Sequence, residues 1–164
     1  MRILMVCMGN ICRSPLAEAI LKDKFRKSNI DVIVKSARTI RFHEGEGADA
    51  RATETASQHH LSLSDHTARG LTKHDLVEFD KIYVMDAANY RDVRKFAGQD
   101  FNPSQVDYIL NEVYMGQNQE VPDPYYGGKD GFENVFQLLD KACSQIVLNI
   151  RANSLANRNY NQPL

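Results

Sequence analysis

The sequence of 164 residues has few of the features that mark disulfide-rich, secreted or membrane-spanning proteins. It has three cysteines, too few for a disulfide framework in a chain of this length, so the cytoplasm is the expected compartment. No apolar run reaches the roughly 20 residues that a transmembrane helix needs. The apolar start resembles a signal peptide only loosely, because Asn10 and Arg13 interrupt it before any small-residue cleavage site.

An excess of charge of either sign is also missing. There are 20 basic and 21 acidic side chains, which leave a net charge of −1 at pH 7. Proteins that bind nucleic acids or membrane surfaces through general electrostatics carry a basic excess, so neither partner is expected. The hydrophobic fraction of 43% is that of a globular protein and argues against disorder.

The chain has no Pro/Gly/Ser-rich linker and no internal repeat, so we expect a single domain over residues 1–164. Short apolar segments typical of strands occupy residues 2–6, 31–34, 81–85 and 106–110. Helical patterns cover residues 49–57, 87–97 and 132–150. Two further helices are predicted to start at Ser14-Pro15 and after the capping sequence 72–75. The asparagine-rich tail from about residue 153 is predicted to fray.

Strands that alternate with helices in this way predict βαβ units and therefore an α/β fold with a parallel sheet. In such folds, ligands bind at the carboxyl ends of the strands. The loop after the first strand is therefore the first place to look for a functional site.

That loop reads Cys7-Met8-Gly9-Asn10-Ile11-Cys12-Arg13-Ser14, and Pro15 opens the helix behind it. The backbone N–H groups of a tight loop and of a helix N-terminus point towards one spot and bind anions there. Gly9 and Asn10 tolerate the positive φ that such a cradle usually requires. Arg13 offers a planar fork of donors to two phosphoryl oxygens. The segment therefore predicts a phosphate-binding loop.

Cys7 ends the first strand and faces the same positive potential, which favours its thiolate form. A thiolate beneath a phosphate cradle is a nucleophile directed at phosphorus. The alternative is that Cys7 is a small buried hydrophobe at a strand end. Ser14 has two interpretations, as the N-cap of the helix or as a hydroxyl donor to the thiolate. Arg13 as a plain surface charge is disfavoured, because a cation there opposes the helix dipole.

Phosphoryl transfer to sulfur leaves an oxygen that needs a proton, so an acid is expected elsewhere in the chain. Asp123 is the candidate, because Pro122 and Pro124 stiffen the backbone and place its carboxyl in a loop. Tyr125 and Tyr126 are candidate walls for a flat aromatic substrate. An ordinary Pro/Gly surface turn is the alternative.

Three stretches of the chain resemble the low-molecular-weight protein tyrosine phosphatase family, and the resemblance extends over nearly the whole length. They are residues 6–18, the sequence Ser-Asp-His-Thr-Ala-Arg at 64–69, and Asp-Pro-Tyr at 123–125. Their order and separation are specific to that family, whereas the cysteine–arginine spacing alone is shared with other phosphatases. The resemblance implies a three-layer, flavodoxin-like fold of the phosphatase I type, in which a four-stranded parallel twisted sheet carries helices on both faces.

The resemblance also implies a mechanism for hydrolysing phosphotyrosine. Cys7 forms a phosphocysteine intermediate, Arg13 and the loop amides hold the phosphate, and Asp123 acts as general acid and then as base. The residues implied to bind substrate are Met8, Gly9, Asn10, Ile11, Cys12, Ser14, Phe42, Tyr125 and Tyr126. Those implied to support the loop are Asn10, Ser14, Ser36 and His66. Cys12 is implied to bond reversibly to Cys7 under oxidation, which makes the enzyme redox-regulated.

The chain departs from the family at Arg38, where a glycine is usual. The exchange adds a cation near the expected mouth of the site. Phe42 corresponds to a bulky aromatic residue that the family often carries shortly afterwards. Phe42 and Ile11 are therefore candidates for one side of the pocket, with a role in the hydrophobic core as the alternative for each.

Tyrosine-phosphorylated proteins are the implied substrates, with a tyrosine kinase as a further partner and phosphate-like oxyanions as inhibitors. No metal or other cofactor is implied, and a monomer is favoured. Of the remaining candidates for chemistry, His59 and His60 are predicted at the surface, His74 at a helix start and Cys143 in the core.

Three other functions compete with this interpretation. A zinc module can be drawn from Cys7, Cys12, His60 and His66, but Arg13 would repel the cation beside a ligand. A phosphotyrosine-binding module without turnover would have to lack the nucleophile or the acid, and the chain has both. A thiol-dependent arsenate reductase shares this fold and loop but passes a disulfide through further mid-chain cysteines, which are absent between Cys12 and Cys143.

Overall fold

The structure is a computed structural model that describes residues 1–125 and 128–160, except for the side chains of residues 129 and 155–160. The strands are β1 (Arg2–Cys7), β2 (Ile33–Arg38), β3 (Lys81–Val84) and β4 (Val106–Tyr108). The α-helices are α1 (Arg13–Lys27), α2 (Ala50–Gln58), α3 (Lys73–Glu78), α4 (Ala87–Ala97) and α5 (Lys129–Tyr160). Short 3₁₀ helices at Gly98–Asp100 and Ile109–Glu112 follow α4 and β4.

The four strands form one sheet in the order β2-β1-β3-β4, and all neighbouring pairs are parallel. This confirms the predicted α/β architecture. The inner strand β1 pairs on both sides, and Cys7 at its carboxyl end lies opposite Arg38 of β2. Since parallel strands end at one edge of a sheet, the loops that follow β1 and β3 meet there.

Successive residues of β1 alternate between two hydrophobic layers. Ile3 and Met5 pack in one layer with α1, α2 and α5, whereas Leu4 and Val6 pack in the other with α3 and α4. All four side chains are fully buried, as expected for a strand that helices cover on both faces. The first layer also contains the predicted apolar face of α1 and the predicted core cysteine, namely Leu16, Ala17, Ile20, Leu21, Phe25 and Cys143.

The second strand lies further along the chain than predicted. The apolar run indicated residues 31–34, but β2 spans Ile33–Arg38 and pairs with β1 over its whole length. Its exposed residues, Ile33 and Lys35, alternate with a buried Val34, as on an edge strand. Backbone pairing with β1 sets the limits of this strand, and hydrophobicity alone indicated them wrongly.

The fourth strand is shorter than the predicted residues 106–110. Ile109 and Leu110 belong to the 3₁₀ helix that follows it, and they are buried in the layer that contains α5. A short apolar run does not by itself distinguish a strand from a buried turn, which explains the error.

The start of α1 and the end of α4 can be compared with the predicted helix limits. α1 begins at Arg13 with Cys12 as its N-cap residue, so the interpretation of Ser14 as the N-cap is wrong. Pro15 lies in the first turn, where its missing N–H costs nothing. α4 ends at Ala97, and Gly98 follows it with a positive φ of 62°, which glycine adopts without strain, so the predicted stop at Gly98 is confirmed.

The last helix continues beyond the predicted apolar stripe. α5 reaches Tyr160, and residues 161–164 lie outside the described part of the chain, so the fraying of the tail stays a prediction. In the described ranges, no helix, including this long one, has the apolar length to cross a membrane.

A capping box opens α3, as the sequence at 72–75 predicted. The Thr72 hydroxyl accepts from the backbone N–H of Asp75 at 3.2 Å, and the Asp75 carboxylate accepts from the backbone N–H of Thr72 at 2.7 Å. Arg69 adds two hydrogen bonds to the same carboxylate at 2.9 and 3.0 Å. Burial disfavours the charged form of Asp75, but these donors outweigh it and hold its pKa below the usual range.

We expect Asp75→Asn to lower the free energy of unfolding at pH 7 by about 1–3 kcal/mol. The pKa of this carboxyl is lower in the folded than in the unfolded chain. Its stabilisation is therefore present above the unfolded pKa and is lost as the pH falls through the folded pKa. The difference between the two proteins should shrink in acid, and urea unfolding at pH 7 and at a series of values below about 4 measures it.

Asp100→Asn is the matched control, because its carboxylate is 73% exposed and reaches Lys73 only at 3.4 Å. We expect a change below about 0.5 kcal/mol for this variant. Equal losses in the two variants, or a loss in Asp75→Asn that does not depend on pH, would contradict the role given to Asp75.

Candidate active site

Residues 7–13 form a tight loop that leaves the carboxyl end of β1 and enters α1 directly. Asn10, in the middle of the loop, has a φ of 58°, which confirms the positive φ predicted there, whereas the φ of Gly9 is not positive and that half of the prediction is wrong. The loop amides and the first turn of α1 therefore lie together at the edge of the sheet where anions are expected to bind.

The sulfur of Cys7 lies among hydrogen-bond donors. Its Sγ is 2.9 Å from the Oγ of Ser14 and accepts from the backbone N–H of Asn10 at 3.2 Å. The Ser14 Oγ already accepts from the Nδ2 of Asn10 at 2.8 Å, so the hydrogen of the hydroxyl is available to the sulfur. Two donors are therefore directed at the one sulfur. This contact supports the second interpretation of Ser14.

The side chain of Asn10 is fully buried beneath the loop and connects several segments. Its Nδ2 donates to Ser14 and, at 2.9 Å, to Ser36, while its Oδ1 accepts from the backbone N–H of Arg69 at 3.1 Å. The carbonyl oxygen of Asn10 accepts from the Nε2 of His66 at 2.7 Å. The four residues predicted to support the loop are therefore together in one hydrogen-bond network.

The network continues to a residue that the sequence analysis did not single out. The Ser36 hydroxyl donates to the carboxylate of Glu18 at 2.5 Å, and Glu18 lies on α1, one helical turn behind the loop. Its place within the matched stretch 6–18 was the available signal. Asn10 and Ser14 were also predicted to bind substrate, but their side chains are completely buried and do not line the cavity.

Arg13 is held by acceptors from two segments. Its Nη1 donates to Asp86 at 2.6 Å and to the carbonyl oxygen of Val121 at 3.1 Å, and its Nη2 donates to Asp123 at 3.1 Å. The side chain is only 3% exposed. Burial opposes the charge of the guanidinium, but the negative charges of Cys7, Asp123 and Asp86 raise the pKa of Arg13 above its usual value. The cation is therefore permanent and fixed in orientation.

Asp123 faces Arg13 from a loop that the sheet anchors. The backbone N–H of Val121 donates to the carbonyl oxygen of Met85, just after β3, at 2.8 Å. The Oδ1 of Asp123 accepts from the backbone N–H of Tyr125 at 3.1 Å, and the carboxylate is 31% exposed. The carboxyl group therefore reaches both the guanidinium and solvent.

Asp86 is a functional candidate that the sequence analysis missed. Its Oδ1 accepts from the backbone N–H of Asn89 at 2.7 Å and caps α4, while its Oδ2 accepts from Arg13. Its position directly after β3, at the same edge of the sheet as Cys7, was the signal that could have found it.

A cavity of about 230 Å³ opens above the loop. Polar residues at its base and apolar or aromatic residues around its mouth form the lining: Cys7, Met8, Gly9, Ile11, Cys12, Arg13, Ile40, Phe42, His43, Asp123 and Tyr125. Ile11 is 8% exposed and Phe42 is 73% exposed, so Ile11 also belongs to the core whereas Phe42 does not. Tyr126, the remaining predicted wall, lies outside the described residues.

Arg51 of α2 is a second candidate that sequence reasoning missed. Its guanidinium donates to the carbonyl oxygen of Tyr125 at 2.9 Å and lies 5.3 Å from the centre of that ring. Two further contacts with Asp49 at 2.8 and 3.0 Å hold Arg51 in place. These hydrogen bonds lower the pKa of Asp49, so the pair stays ionised. Arg51 thus orients the aromatic wall of the cavity.

The two other cysteines are buried. Burial raises the pKa of the Cys12 thiol, and the charges of Asp49 and Cys7 raise it further. Burial likewise raises the pKa of Cys143, which is in the core. Both groups are therefore neutral thiols at neutral pH, so Cys7 is the cysteine that its surroundings equip as a nucleophile. The bond between Cys7 and Cys12 under oxidation stays a prediction.

The histidines are spread over several surroundings. His60 and His74 are exposed, but His59 is only half-exposed, because it stacks on Phe136 at 3.7 Å and hydrogen-bonds Glu133 at 2.9 Å. Its prediction as a surface residue is thus only partly right. Within residues 1–125 and 128–160, no group of three or more His, Cys, Asp or Glu side chains is arranged to hold a metal ion.

The arrangement suits phosphoryl chemistry. The loop amides, the helix N-terminus and Arg13 offer donors to an oxyanion, and the Cys7 sulfur lies at the base of the same cavity. Asp123 supplies a partly exposed carboxyl at the mouth, where a leaving oxygen would emerge.

Comparisons with known proteins agree with this chemistry. The family model described as low molecular weight phosphotyrosine protein phosphatase matches residues 2–157. A low molecular weight protein-tyrosine-phosphatase of Streptomyces coelicolor is 34% identical over 92% of this chain and 93% of its own.

Solved structures share the fold. The crystal structure of YfkJ from Bacillus subtilis has a TM-score of 0.86 at 35% identity and covers 93% of this chain and 96% of its own. The structure of an arginine phosphatase from Drosophila has a TM-score of 0.84 at 30% identity and covers 92% of this chain and 98% of its own. The fold therefore occurs with more than one kind of phosphorylated substrate.

We expect Asn10→Ala to weaken the binding of inorganic phosphate by at least about tenfold and to lower the free energy of unfolding by about 2–4 kcal/mol. The reason is that one substitution removes the hydrogen bonds to Ser14, Ser36 and Arg69 and places alanine at a positive φ. Isothermal titration with phosphate and urea unfolding measure the two effects.

Asn118→Ala is the matched control, because Asn118 is exposed and has a similar φ of 51°. Asn118→Ala therefore places alanine at a strained positive φ but removes none of the hydrogen bonds that hold the loop. A phosphate affinity that falls equally in the two variants would contradict the role of Asn10 in holding the loop.

Proposed function

The chain belongs to the low molecular weight phosphotyrosine protein phosphatase family, and we propose that it hydrolyses phosphotyrosine in proteins and small aryl phosphates through a phosphocysteine intermediate. The observation that carries the proposal is the convergence of the Cys7 sulfur, the Arg13 guanidinium and the Asp123 carboxyl on one cavity. Tyrosine-phosphorylated proteins are then the substrates, and a tyrosine kinase is the enzyme class that produces them.

In the first step, the Cys7 thiolate attacks phosphorus. An S–P bond forms while the bond between phosphorus and the phenolic oxygen breaks, and Asp123 donates its proton to that oxygen. Arg13 and the loop amides bind the three equatorial oxygens, on which the negative charge of the transition state is spread. The hydroxyl of Ser14 keeps the sulfur anionic until it attacks.

In the second step, water attacks the phosphocysteine. Asp123, now a carboxylate, removes a proton from the water as its oxygen bonds to phosphorus, and the S–P bond breaks. Inorganic phosphate leaves, Cys7 returns to the thiolate, and Asp123 is protonated again. Asp123 and the guanidinium of Arg13 are in contact before substrate binds. A bound phosphate competes with the carboxylate for that guanidinium.

The cavity walls favour an aromatic ester. Ile11, Ile40, Phe42 and Tyr125 surround its mouth with apolar surface, which can enclose a phenyl ring. A phosphoserine side chain is too short to bring its phosphate to Cys7 past these walls. The guanidinium of phosphoarginine would lose hydration against the aliphatic side chains of Ile11 and Ile40. Phosphotyrosine is thus the substrate that the site fits best.

We expect the protein to hydrolyse a phosphotyrosine peptide with a kcat/KM at least about tenfold above that for the same peptide with phosphoserine or phosphoarginine. The release of inorganic phosphate measures all three rates. Arsenate with an external thiol is included as a fourth substrate, because a reductase is the competing enzyme. Preferred turnover of phosphoserine, phosphoarginine or arsenate would contradict the proposed substrate.

The nucleophile is tested in the same assay with Cys7→Ser, which should abolish turnover while phosphate still binds. Cys143→Ser makes the same atomic exchange in the core, outside the cavity, and the folded fraction of that variant should retain turnover. Hydrolysis by folded Cys7→Ser would remove the phosphocysteine from the mechanism.

We expect Asp123→Ala to lower kcat by about 10²–10⁴ for phenyl phosphate, whose leaving group needs a proton. The loss should be much smaller for a nitrophenyl ester, whose leaving phenolate is already stable. Steady-state rates with a series of substituted aryl phosphates measure the dependence. Asp31→Ala removes an exposed carboxylate outside the cavity as a control, and an equal loss for every leaving group would show that Asp123 is not the acid.

A further inference from the structure

A second cavity, of about 380 Å³, adjoins the proposed catalytic one. The residues that matter for its chemistry are Arg38, Thr39, Ile40, Arg41, Asp92 and Phe96. Ile40 lines both cavities, so a single isoleucine forms part of the wall between them. The backbone connects them as well, because the N–H groups of Thr39 and Ile40 both donate to the carbonyl oxygen of Met8, at 3.1 and 3.3 Å.

Arg38 is a buried guanidinium with an unused donor. The side chain is 6% exposed, packs over Gly70 and contacts the carbonyl oxygen of Ile40 and the carboxylate of Glu44. Its Nε has no hydrogen-bond partner among the described residues. A buried N–H without an acceptor is rare, because its lost hydration is not replaced. Arg38 is itself one of the residues that line the second cavity.

Arg41 brings a second guanidinium to the same cavity. It is exposed, and within the described part of the chain it makes no ion pair or side-chain hydrogen bond. Two guanidinium groups therefore lie at one cavity. A negatively charged group that enters it balances the charge of Arg41, whereas a neutral acceptor does not.

Two carboxylates also face this region, and each is already engaged. Asp92 accepts from the Thr39 hydroxyl at 2.9 Å, and Glu44 is paired with Arg38. Glu44 is 66% exposed, so its side chain is free to exchange its place on Arg38 with an incoming anion. The cavity therefore combines two arginines with one exchangeable carboxylate, which is the pattern of a site that an external acidic group can enter.

We propose that this second cavity binds an anionic side chain of the substrate, a carboxylate or a phosphomonoester, that flanks the phosphotyrosine in the catalytic cavity. The inference rests on the proposed phosphatase function and deepens it, because it names a class of substrate sequence. An extended peptide advances about 3.3 Å per residue, so a side chain a few residues from the phosphotyrosine reaches across Ile40. Arg38 and Arg41 are then specificity residues and take no part in the chemical step.

The test uses pairs of phosphotyrosine peptides that differ only by Glu or Gln at one of the flanking positions. With the native protein, we expect kcat/KM for the Glu peptide to exceed that for the Gln peptide by about three- to tenfold at one or more positions on one side. A third peptide with phosphoserine at that position separates the two sources of charge. The acidic group whose peptide gives the larger ratio of kcat/KM over the Gln peptide is the preferred one. If kcat/KM for the Glu and the phosphoserine peptides equals that for the Gln peptide at every position, the inference is overturned.

Two variants connect the preference to the cavity. In Arg41→Gln and Arg38→Gln, the Glu/Gln ratio should fall towards one. The ratio within each variant cancels any change in folded fraction, and Arg41 is exposed, so its replacement does not disturb the core. Arg91→Gln removes an exposed cation of α4 that does not line the cavity, and it should keep the native ratio. An equal fall in Arg91→Gln would indicate a general surface field and overturn the site.

An assay with nitrophenyl phosphate distinguishes a failure of the proposed phosphatase function from a failure of the second site alone. If the native protein hydrolyses neither this ester nor any peptide, the proposed function itself fails. If it hydrolyses the ester and all peptides, and the acidic and amide peptides react at equal rates, only the second site fails.

Discussion

The hydrogen bonds of the Asn10 side chain are the constraint on which the active site depends. One buried amide uses both of its hydrogens and its oxygen to connect Ser14, Ser36 and the backbone at Arg69. The loop is thereby held at a positive φ that would otherwise be strained, in the shape that the proposed binding of phosphate by its amides requires. The same amide fixes Ser14, whose hydroxyl then faces the sulfur. Preorganisation of this kind is established during folding and requires no rearrangement when substrate binds.

A small number of charged side chains balance one another around the sulfur of Cys7. Arg13 contacts Asp86 and Asp123, so a nearly fully buried cation has compensating partners. Asp86 is the partner that also caps α4, which makes it a fixed support for the guanidinium. Asp123 lies on a loop and is partly exposed, as the proton transfer proposed for it requires. Arg38 adds a further cation close to the catalytic cavity, on the other side of Ile40.

The accuracy of the predictions from the sequence differed between the elements, and each difference has a physical reason. β1 and the helix over 87–97 were predicted nearly to the residue, because a fully apolar strand and a helix with a glycine stop carry strong local signals. β2 was displaced, because an edge strand takes its limits from pairing with its neighbour. Ser14 was ambiguous, because a hydroxyl at a helix start can cap the helix or contact a side chain, and only the position of Cys7 favours the contact. Asp86 was missed although it closely follows the third predicted strand, and Arg51 was missed because nothing in its own neighbourhood connects it to residues 7–14.

The sequence by itself determined the parallel α/β fold, the loop that carries Cys7 and Arg13, and the candidate acid Asp123, since each depends on residue types at short separations. The tertiary structure decided which distant groups complete the site. Asp86, Ser36, His66 and Arg51 reach it from different elements, and their contacts depend on how the strands are ordered and how the helices pack. It also decided that Arg38 lies buried beside a second cavity, with a donor that has no partner among the described residues. Burial and hydrogen-bond partners are properties of the packed chain, so no local pattern encodes them.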